Sequence, residues 1–265
     1  MPSFLFIDAF VFLFGAIVGS FLNVCIYRIP AEKSIVSPPS HCPSCGERVR
    51  PYDNIPLLSW LLLGGKCRFC RARISVRYPL VELLTALLTL FLFHEYGFSA
   101  GFAALFLFSA ALVVITFIDL DHQIIPDIIS LPGIPLGFAF SFFLPQVGWK
   151  NSLIGILVGG GSLLVVAYAY ELITKKEGMG GGDIKLLAMM GAFLGWKSIP
   201  FIIFISSLLG SVIGISLMIA QKKDSKLAIP FGPFLATAAV IYIFFGDSII
   251  GWYLNVGAAR GYPSP

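Results

Sequence analysis

Three kinds of stretch in this chain contain residue types that can perform or support chemistry. Two pairs of cysteines, Cys42-x2-Cys45 and Cys67-x2-Cys70, have the spacing of metal ligands. The run Ile118-Asp-Leu-Asp-His-Gln-Ile-Ile-Pro-Asp127 contains three carboxylates and a histidine, and Gly178-Met-Gly-Gly-Gly-Asp183 places one carboxylate after a glycine cluster. Both acidic runs border long apolar segments. A carboxylate near the interior of a membrane costs free energy, so one that is present there is a candidate for function.

The four cysteines predict a metal site. Two C-x2-C pairs can place four sulfur atoms around one tetrahedral ion, and Zn²⁺ is the common metal of such sites. The 21 residues between the pairs make the gap slightly longer than usual. Disulfides or free thiols are the alternatives, and the reducing cytoplasm would disfavour disulfides. Because four thiolates leave no open coordination position, we expect a structural zinc ion bound by Cys42, Cys45, Cys67 and Cys70.

The first acidic run offers several candidate catalytic carboxylates. In a helix, residues two positions apart point about 160° apart, so Asp119 and Asp121 cannot both face the interior of a helical bundle. Asp119 directly follows an apolar run and is expected to be the deeper of the two, whereas Asp121 should be exposed to water. Asp127 follows a proline and fits the first turn of the next helix, where an acid complements the helix dipole. His122 is interpreted as a solvated loop residue.

Asp183 has two interpretations that the sequence leaves open. It can be the N-cap of a helix that begins at Ile184, or it can be a catalytic acid. The glycines Gly180, Gly181 and Gly182 favour the second, because a loop without side chains lets an extended peptide lie against it. Two carboxylates brought together share a proton, so that one can activate water while the other donates to a scissile carbonyl. Asp119 and Asp183 are therefore a candidate pair for peptide hydrolysis.

The composition indicates that membrane helices position these residues. The chain has 265 residues, of which 57% are hydrophobic and only 12% are charged. A soluble domain contains about 25% charged residues. Apolar segments predict an all-α polytopic membrane protein with about eight transmembrane helices. These segments lie at roughly 4–27, 80–96, 101–118, 124–144, 152–174, 184–196, 199–220 and 227–246.

The basic residues predict the orientation of these helices. Fifteen of the 18 Lys and Arg residues lie in the loops on one side, which places that side in the cytoplasm and the N-terminus outside. The cysteine segment and both acidic runs then face the cytoplasm. The net charge of +4 reflects this topology and does not indicate a nucleic-acid partner. No basic residue precedes the first apolar segment, so we expect an uncleaved helix and not a signal peptide.

The chain divides into four parts on this basis. They are a first transmembrane helix at 1–27, a cytoplasmic four-cysteine zinc insert at 28–79, a seven-helix core at 80–257 and a loose tail at 258–265.

Several other residues are interpreted as structural. The spacing of Gly15 and Gly19, and the run Gly159–Gly161, are typical of sites where two helices approach closely. Cys25 lacks a neighbouring cysteine and is expected to be a small packing residue. Glu82 is expected to pair with Arg77 at the start of the second apolar segment.

The cysteine pairs, the run from Phe117 to Asp127 and the run from Gly178 to Asp183, in this order, closely resemble those of bacterial type IV prepilin peptidases. The resemblance covers nearly the whole chain. It implies a membrane aspartyl protease whose Gly-x-Gly-Asp motif ends at Asp183 and whose other catalytic acid is Asp119, with Asp121 and Asp127 as competitors for that role.

The same resemblance implies a substrate and a second activity. Members of the family remove a short basic leader from prepilins and type II secretion pseudopilins at the cytoplasmic face of the inner membrane. Many then methylate the new N-terminus with S-adenosylmethionine, and members with the four-cysteine insert have both activities. No motif in this chain identifies the residues that bind the methyl donor.

Two functions of other classes also fit the residues. A transporter could use the acids as a proton relay, and a zinc-stabilised scaffold could use Asp119 and Asp183 as helix caps. The acids cluster at one membrane face, and the chain shows no inverted repeat, which argues against a transporter.

Overall fold

The structure is a computed structural model that describes residues 2–175, 180–221 and 229–259. Its regular structure is helical apart from two isolated β-bridges, which confirms the predicted all-α class for the described residues. The helices are α1 (Pro2–Arg28), α2 (Leu58–Leu62), α3 (Arg77–Tyr96), α4 (Ala100–His122), α5 (Asp127–Ser141), α6 (Gly148–Thr174), α7 (Gly181–Leu194), α8 (Ser198–Gln221) and α9 (Gly232–Ala259), with a 3-10 turn at Pro51–Asn54.

Six of the described helices, α1, α3, α4, α6, α8 and α9, are long and apolar enough to cross a membrane. The protein is therefore a multi-pass membrane protein. The two other predicted spans are shorter, because α5 has 15 residues and α7 has 14. Helices of that length measure about 21 to 23 Å, against about 30 Å for the hydrocarbon core of a bilayer.

The chain forms two compact units, residues 1–122 and 123–265. In the first unit, α1 and α3 pack through the predicted glycines of α1. A Cβ added to Gly15 would lie 2.8 Å from Cα of Ala86, and one added to Gly19 would lie 2.7 Å from Cα of Glu82. The predicted packing role of Gly15 and Gly19 is thus confirmed. Cys25 is buried on the same helix, as expected for a packing residue.

The insert between α1 and α3 is tied back to both helices. Arg28 of α1 donates hydrogen bonds to the carbonyl oxygens of Ser34 (2.8 Å) and Pro38 (2.6 Å). Oε2 of Glu82 accepts a hydrogen bond from the backbone N–H of Leu57 at 2.7 Å. The predicted pairing of Glu82 with Arg77 is wrong, because residues five positions apart on a helix do not share a face.

In the second unit, α7 is the central helix. Its residues from Leu186 to Phe193 are all buried. Glycines of α6 contact its backbone: a Cβ added to Gly159 would lie 2.5 Å from the carbonyl oxygen of Leu187, and Gly155 lies directly against Gly191. Gly159 therefore has the predicted packing role, whereas a Cβ at Gly161 would meet no atom of the described residues within 4 Å.

Candidate active site

Asp119 lies in the last turn of α4 and is only 4% exposed. The preceding residue, Ile118, and Ile115 one turn earlier are fully buried, so the apolar run carries this carboxylate into the interior of the first unit. Asp121 is exposed on the other side of the helix. The prediction that Asp119 is the deeper of the two acids is confirmed.

Arg77 holds the end of α4 that carries Asp119. Its Nη2 donates to the carbonyl oxygen of Phe117 at 2.8 Å, and its Nη1 forms an ion pair with Asp121. The guanidinium also lies over the ring of Phe117, 4.9 Å from the centroid. Since its partners flank Asp119 by two residues on each side, Arg77 fixes the backbone that presents this acid.

Asp127 is the first residue of α5, as predicted, and it too is bound by a cation. Nζ of Lys185 lies 2.7 Å from both of its carboxylate oxygens. This ion pair joins the first residue of α5 to the first turns of α7. Both competitors of Asp119 are thus solvent-exposed members of ion pairs. His122 is exposed, as expected, although it ends α4 and does not lie in a loop.

Asp183 lies in the first turn of α7, three residues after the N-cap, which is Gly180. The interpretation of Asp183 as the N-cap is therefore wrong. The half-buried carboxylate is at the end of the helix where the dipole stabilises negative charge. A Cβ added to Gly180 would lie 3.8 Å from Oδ2 of Asp183, so the carboxylate lies close to the backbone of the glycine run.

The three glycines before Asp183 differ in their surroundings. Among the described residues, a Cβ added to Gly181 would meet no atom within 4 Å, and one added to Gly180 would meet only Oδ2 of Asp183. At Gly182, an added Cβ would lie 2.9 Å from Cβ of Ile125, so this glycine is required by packing within the second unit. The first two residues of the run, at 178–179, lie outside the described residues.

The four predicted cysteine ligands gather around one point in the insert. Their Sγ atoms all lie within 4.8 Å of one another, and those of Cys42 and Cys70 are 3.8 Å apart. Four sulfurs bound at about 2.3 Å to one tetrahedral ion would be about 3.8 Å apart. All five cysteines are free thiols, so the disulfide alternative does not describe this structure. The cluster can hold a metal ion.

The backbone around the cysteines has the same turn twice. The amide of Gly46 donates to the carbonyl oxygen of Cys42 at 2.9 Å, and the amide of Arg71 donates to that of Cys67 at 3.1 Å. Backbone N–H groups of Cys45 and Ser44 donate to the Cys42 sulfur and lower the pKa of this thiol to about 6. The pKa of the Cys45 thiol is raised, because desolvation and the adjacent sulfurs outweigh the backbone hydrogen bond from Glu47. A thiol with a lowered pKa supplies the thiolate that metal ions bind.

Two family models match successive parts of the chain. Residues 13–96, which include all four cysteines of the cluster, match the bacterial peptidase A24 N-terminal domain. Residues 106–215, which include Asp119 and Asp183, match the type IV leader peptidase family.

Curated proteins are similar to the chain over nearly its whole length. One from Pseudomonas aeruginosa, described as a prepilin leader peptidase/N-methyltransferase, is 41% identical over 92% of this chain and 92% of its own length. Proteins of the same description from Aeromonas hydrophila and Xanthomonas campestris are 42% and 40% identical, over 92% and 93% of this chain and 93% and 94% of their own lengths. No solved structure is significantly similar.

Proposed function

Because the chain belongs to the type IV leader peptidase family, we propose that it is a membrane aspartic endopeptidase for prepilins and pseudopilins, with Asp119 and Asp183 as the catalytic pair. Asp119 is proposed as the first catalytic acid because it is buried. Of the three acids in its run it alone is buried, whereas Asp121 and Asp127 are exposed and each is paired with a cation.

The proposed reaction needs one ionised and one protonated carboxyl group. The ionised acid takes a proton from water as the water oxygen bonds to the scissile carbonyl carbon, and the protonated acid donates to the carbonyl oxygen. The tetrahedral intermediate then collapses, the C–N bond breaks, and the leaving nitrogen receives a proton. The proposal requires the two carboxyl groups to meet around the substrate, with no covalent intermediate.

The glycine run supports the substrate part of the proposal. Gly180 and Gly181 have no side chain and, next to Asp183, leave room for an extended peptide to approach the backbone. An apolar helix that follows the cut can pack among the membrane helices of the protein. The substrates proposed here are therefore chains with a short leader and an adjoining apolar helix.

We also propose that the protein methylates the N-terminus that cleavage creates, as the description of the relatives implies for those proteins. S-adenosylmethionine is the proposed donor and supplies an activated methyl group on a sulfonium. The amine nitrogen bonds to the methyl carbon, the carbon–sulfur bond breaks with its electron pair on sulfur, and the amine loses one proton to water.

Zn²⁺ is the ion proposed for the four-cysteine cluster. The sulfur spacing fits a tetrahedral site, and the complete thiolate set leaves no position for water or substrate, so the role is structural. The insert has few buried apolar residues between α1 and α3, and a metal supplies the stability that such a small core lacks.

The inner membrane is the proposed location, with the N-terminus outside and the insert and acids at the cytoplasmic face. The support is the concentration of Lys and Arg residues in the loops of one side. Prepilins, pseudopilins and the lipid bilayer are the proposed partners.

Substitution of the acids tests the peptidase proposal. Asp119→Asn and Asp183→Asn are each expected to lower the rate of leader removal by about a thousandfold, because each removes an ionisable proton carrier. Cleavage of a prepilin in membranes can be followed on a gel, with membrane insertion checked for each variant. Asp121→Asn and Asp127→Asn are the matched comparisons and should retain most activity. Full cleavage by Asp119→Asn or Asp183→Asn would reject the role of that acid.

Zinc analysis tests the metal proposal. Cys42→Ser and Cys67→Ser are expected to lose the bound zinc and to lower the unfolding temperature, because three ligands cannot close the site. Cys25→Ser is the control and should keep its zinc, since Cys25 lies in α1 outside the cluster. A purified wild-type protein without zinc and with oxidised cysteines would contradict the proposal.

A further inference from the structure

Helix α2 of the insert presents leucines where a helix of a soluble domain presents polar side chains. Leu58, Leu61 and Leu62 are three and four positions apart, so they lie on one face of the helix. They are 49%, 68% and 77% exposed. A surface helix of a soluble protein normally buries its apolar face and exposes its polar one. The exposed leucines therefore indicate a surface that an apolar partner covers.

The opposite face of α2 makes polar contacts within the insert. Oγ of Ser59, a buried residue, donates to the carbonyl oxygen of Tyr52 at 2.9 Å. Nε1 of Trp60 donates to the carbonyl oxygen of Ile74 at 3.2 Å. These two hydrogen bonds fix the rotation of α2 about its axis. The leucine face therefore cannot turn into the insert without breaking both of them.

A further hydrogen bond places α2 beside a membrane-spanning helix. Oε2 of Glu82 in α3 accepts from the backbone N–H of Leu57, the residue before α2, at 2.7 Å. The 20 residues of α3 extend over about 30 Å, which is the thickness of the hydrocarbon core of a bilayer. Glu82 lies about 7.5 Å along this helix from its first residue, Arg77. The start of α2 is thus near the level of the first turns of α3, where the interfacial region of a bilayer is expected.

The contact with Glu82 suits an apolar environment at that level. The first N–H groups of a helix have no partner within the helix, and a backbone N–H without an acceptor is costly away from water. The Glu82 carboxylate accepts from the N–H group at the start of α2. On α3, the exposed Leu80 and Leu83 flank Glu82 in sequence and belong to a span that contacts lipid. The leucine face of α2 borders the same level of the bilayer.

Two exposed cations lie next to α2. Lys66 and Arg73 face each other in an isolated antiparallel bridge, and Arg73 directly precedes Ile74, which binds Trp60. An apolar helix face combined with Lys, Arg and Trp is typical of segments that lie in the membrane interface, where the cations reach lipid phosphates. The buried centre of a protein–protein interface, by contrast, is depleted in charged residues. The surroundings of α2 therefore favour lipid over a protein as its partner.

We propose that α2 is an interfacial membrane helix whose residues Leu58, Leu61 and Leu62 insert among the lipids of the leaflet at that end of α3. The insert is then bound to the bilayer surface through α2, in addition to its connections to α1 and α3. Glu82 has the role of holding the start of α2 at this level. The inference uses only the spans and the contacts of α2, so it stands independently of the proposed reactions.

Photocrosslinking of the purified full chain tests the lipid contact. The photoreactive residue p-benzoylphenylalanine is introduced at position 61, and the protein is placed in nanodiscs of phosphatidylethanolamine and phosphatidylglycerol. Mass spectrometry should find lipid attached at this position. Phe69 is the control position, because it is also an exposed apolar residue of the insert but lies in the second cysteine turn, outside α2. Its yield of lipid adducts should be at least tenfold lower.

Three outcomes of this experiment would overturn the inference. They are the absence of lipid adducts at position 61, adducts from that position to a second copy of the chain or another protein, and equal lipid yields at positions 61 and 69. The zinc content and the unfolding temperature of each photoreactive protein establish that it is folded.

Hydrogen exchange provides an independent measurement. Leu61→Asp places a charge in the leucine face and should raise the exchange rates of the amides at 58–65 at least tenfold in nanodiscs, because α2 leaves the bilayer. Leu61→Phe keeps the face apolar and should exchange at the rate of the wild type. Equal protection in a folded Leu61→Asp variant would contradict the insertion of α2. Photocrosslinking decides the question if Leu61→Asp does not fold.

Discussion

The two helices that carry the proposed catalytic acids are held in place by different means. α4 has 23 residues, presents Asp119 in its last turn and is held there by polar contacts from Arg77. α7 has 14 residues and presents Asp183 in its first turn. Glycines of α6 lie against its backbone, and glycines of α5 lie against its side chains.

This difference follows from how much surface each helix has. A helix of 14 residues offers few side chains, so α7 is fixed by close approach along the buried stretch from Leu186 to Phe193. Truncating a polar side chain such as Arg77 adds no volume to the interior. By contrast, where two backbones are in contact, replacing glycine by alanine adds a methyl group for which there is no space. The packing around α7 should therefore be more sensitive than the contacts of Arg77 with α4 to small changes in volume.

The largest effect is expected where α6 and α7 cross. In Gly191→Ala, the new Cβ would overlap the backbone of Gly155, and two helices would have to move apart. Overpacking of this kind costs about 3 kcal/mol of stability, and more when backbone must shift. We expect a large drop in unfolding temperature, measured by intrinsic fluorescence in detergent, together with loss of leader cleavage.

Gly161→Ala is the matched control on α6, because within the described part of the chain a Cβ there meets no atom within 4 Å. It should leave both the unfolding temperature and cleavage unchanged. If Gly191→Ala were equally well tolerated, close packing would not be what positions Asp183.

Features that depend on local sequence were predictable. The apolar segments, the packing of Gly15 and Gly19, and the exposure of Asp121 all follow from composition or from the helical period. The cysteine cluster follows from the C-x2-C spacing within two short turns, because such a turn brings its own two sulfurs together.

Features that depend on which helix ends meet were not predictable. Lys185 binds Asp127 across 58 positions, and Arg77 binds Asp121 across 44, and no sequence spacing indicates either pair. The only indication in the sequence is that Lys185 and Arg77 are basic residues next to apolar segments, where an unpaired charge is costly. The contact of Gly155 with Gly191 was missed for the same reason, since only the packed helices reveal it.

A smaller effect is expected from the two ion pairs beside the acids. Arg77→Ala leaves Asp121 without its cation and removes the donor to the Phe117 carbonyl, which should cost about 2 kcal/mol. Lys185→Ala removes a single exposed pair, which is typically worth about 0.2 to 1 kcal/mol. Thermal unfolding and prepilin cleavage should both rank Arg77→Ala as the more damaging change.

Arg77→Lys sharpens this prediction. Lysine keeps the charge but cannot bind a carbonyl and a carboxylate with one planar fork, so this variant should fall between wild type and Arg77→Ala. Equal losses of unfolding temperature and cleavage in Arg77→Ala and Lys185→Ala would contradict this prediction. They would mean that polar contacts contribute equally to the positions of α4 and α7.

The smallest effect concerns the two cysteine turns, which share the same backbone hydrogen bond. The residue after the second cysteine has a positive φ in both turns, and it is Gly46 (74°) in one and Arg71 (59°) in the other. A side chain in this left-handed conformation costs about 1 to 2 kcal/mol. Arg71→Gly should therefore slow the release of zinc to a chelator, and Gly46→Ala should accelerate it. Each turn supplies two sulfurs to the same site, so a change in either turn should alter the rate of zinc release. A faster release from Arg71→Gly would show that contacts of the Arg71 side chain stabilise the insert by more than its left-handed backbone destabilises it.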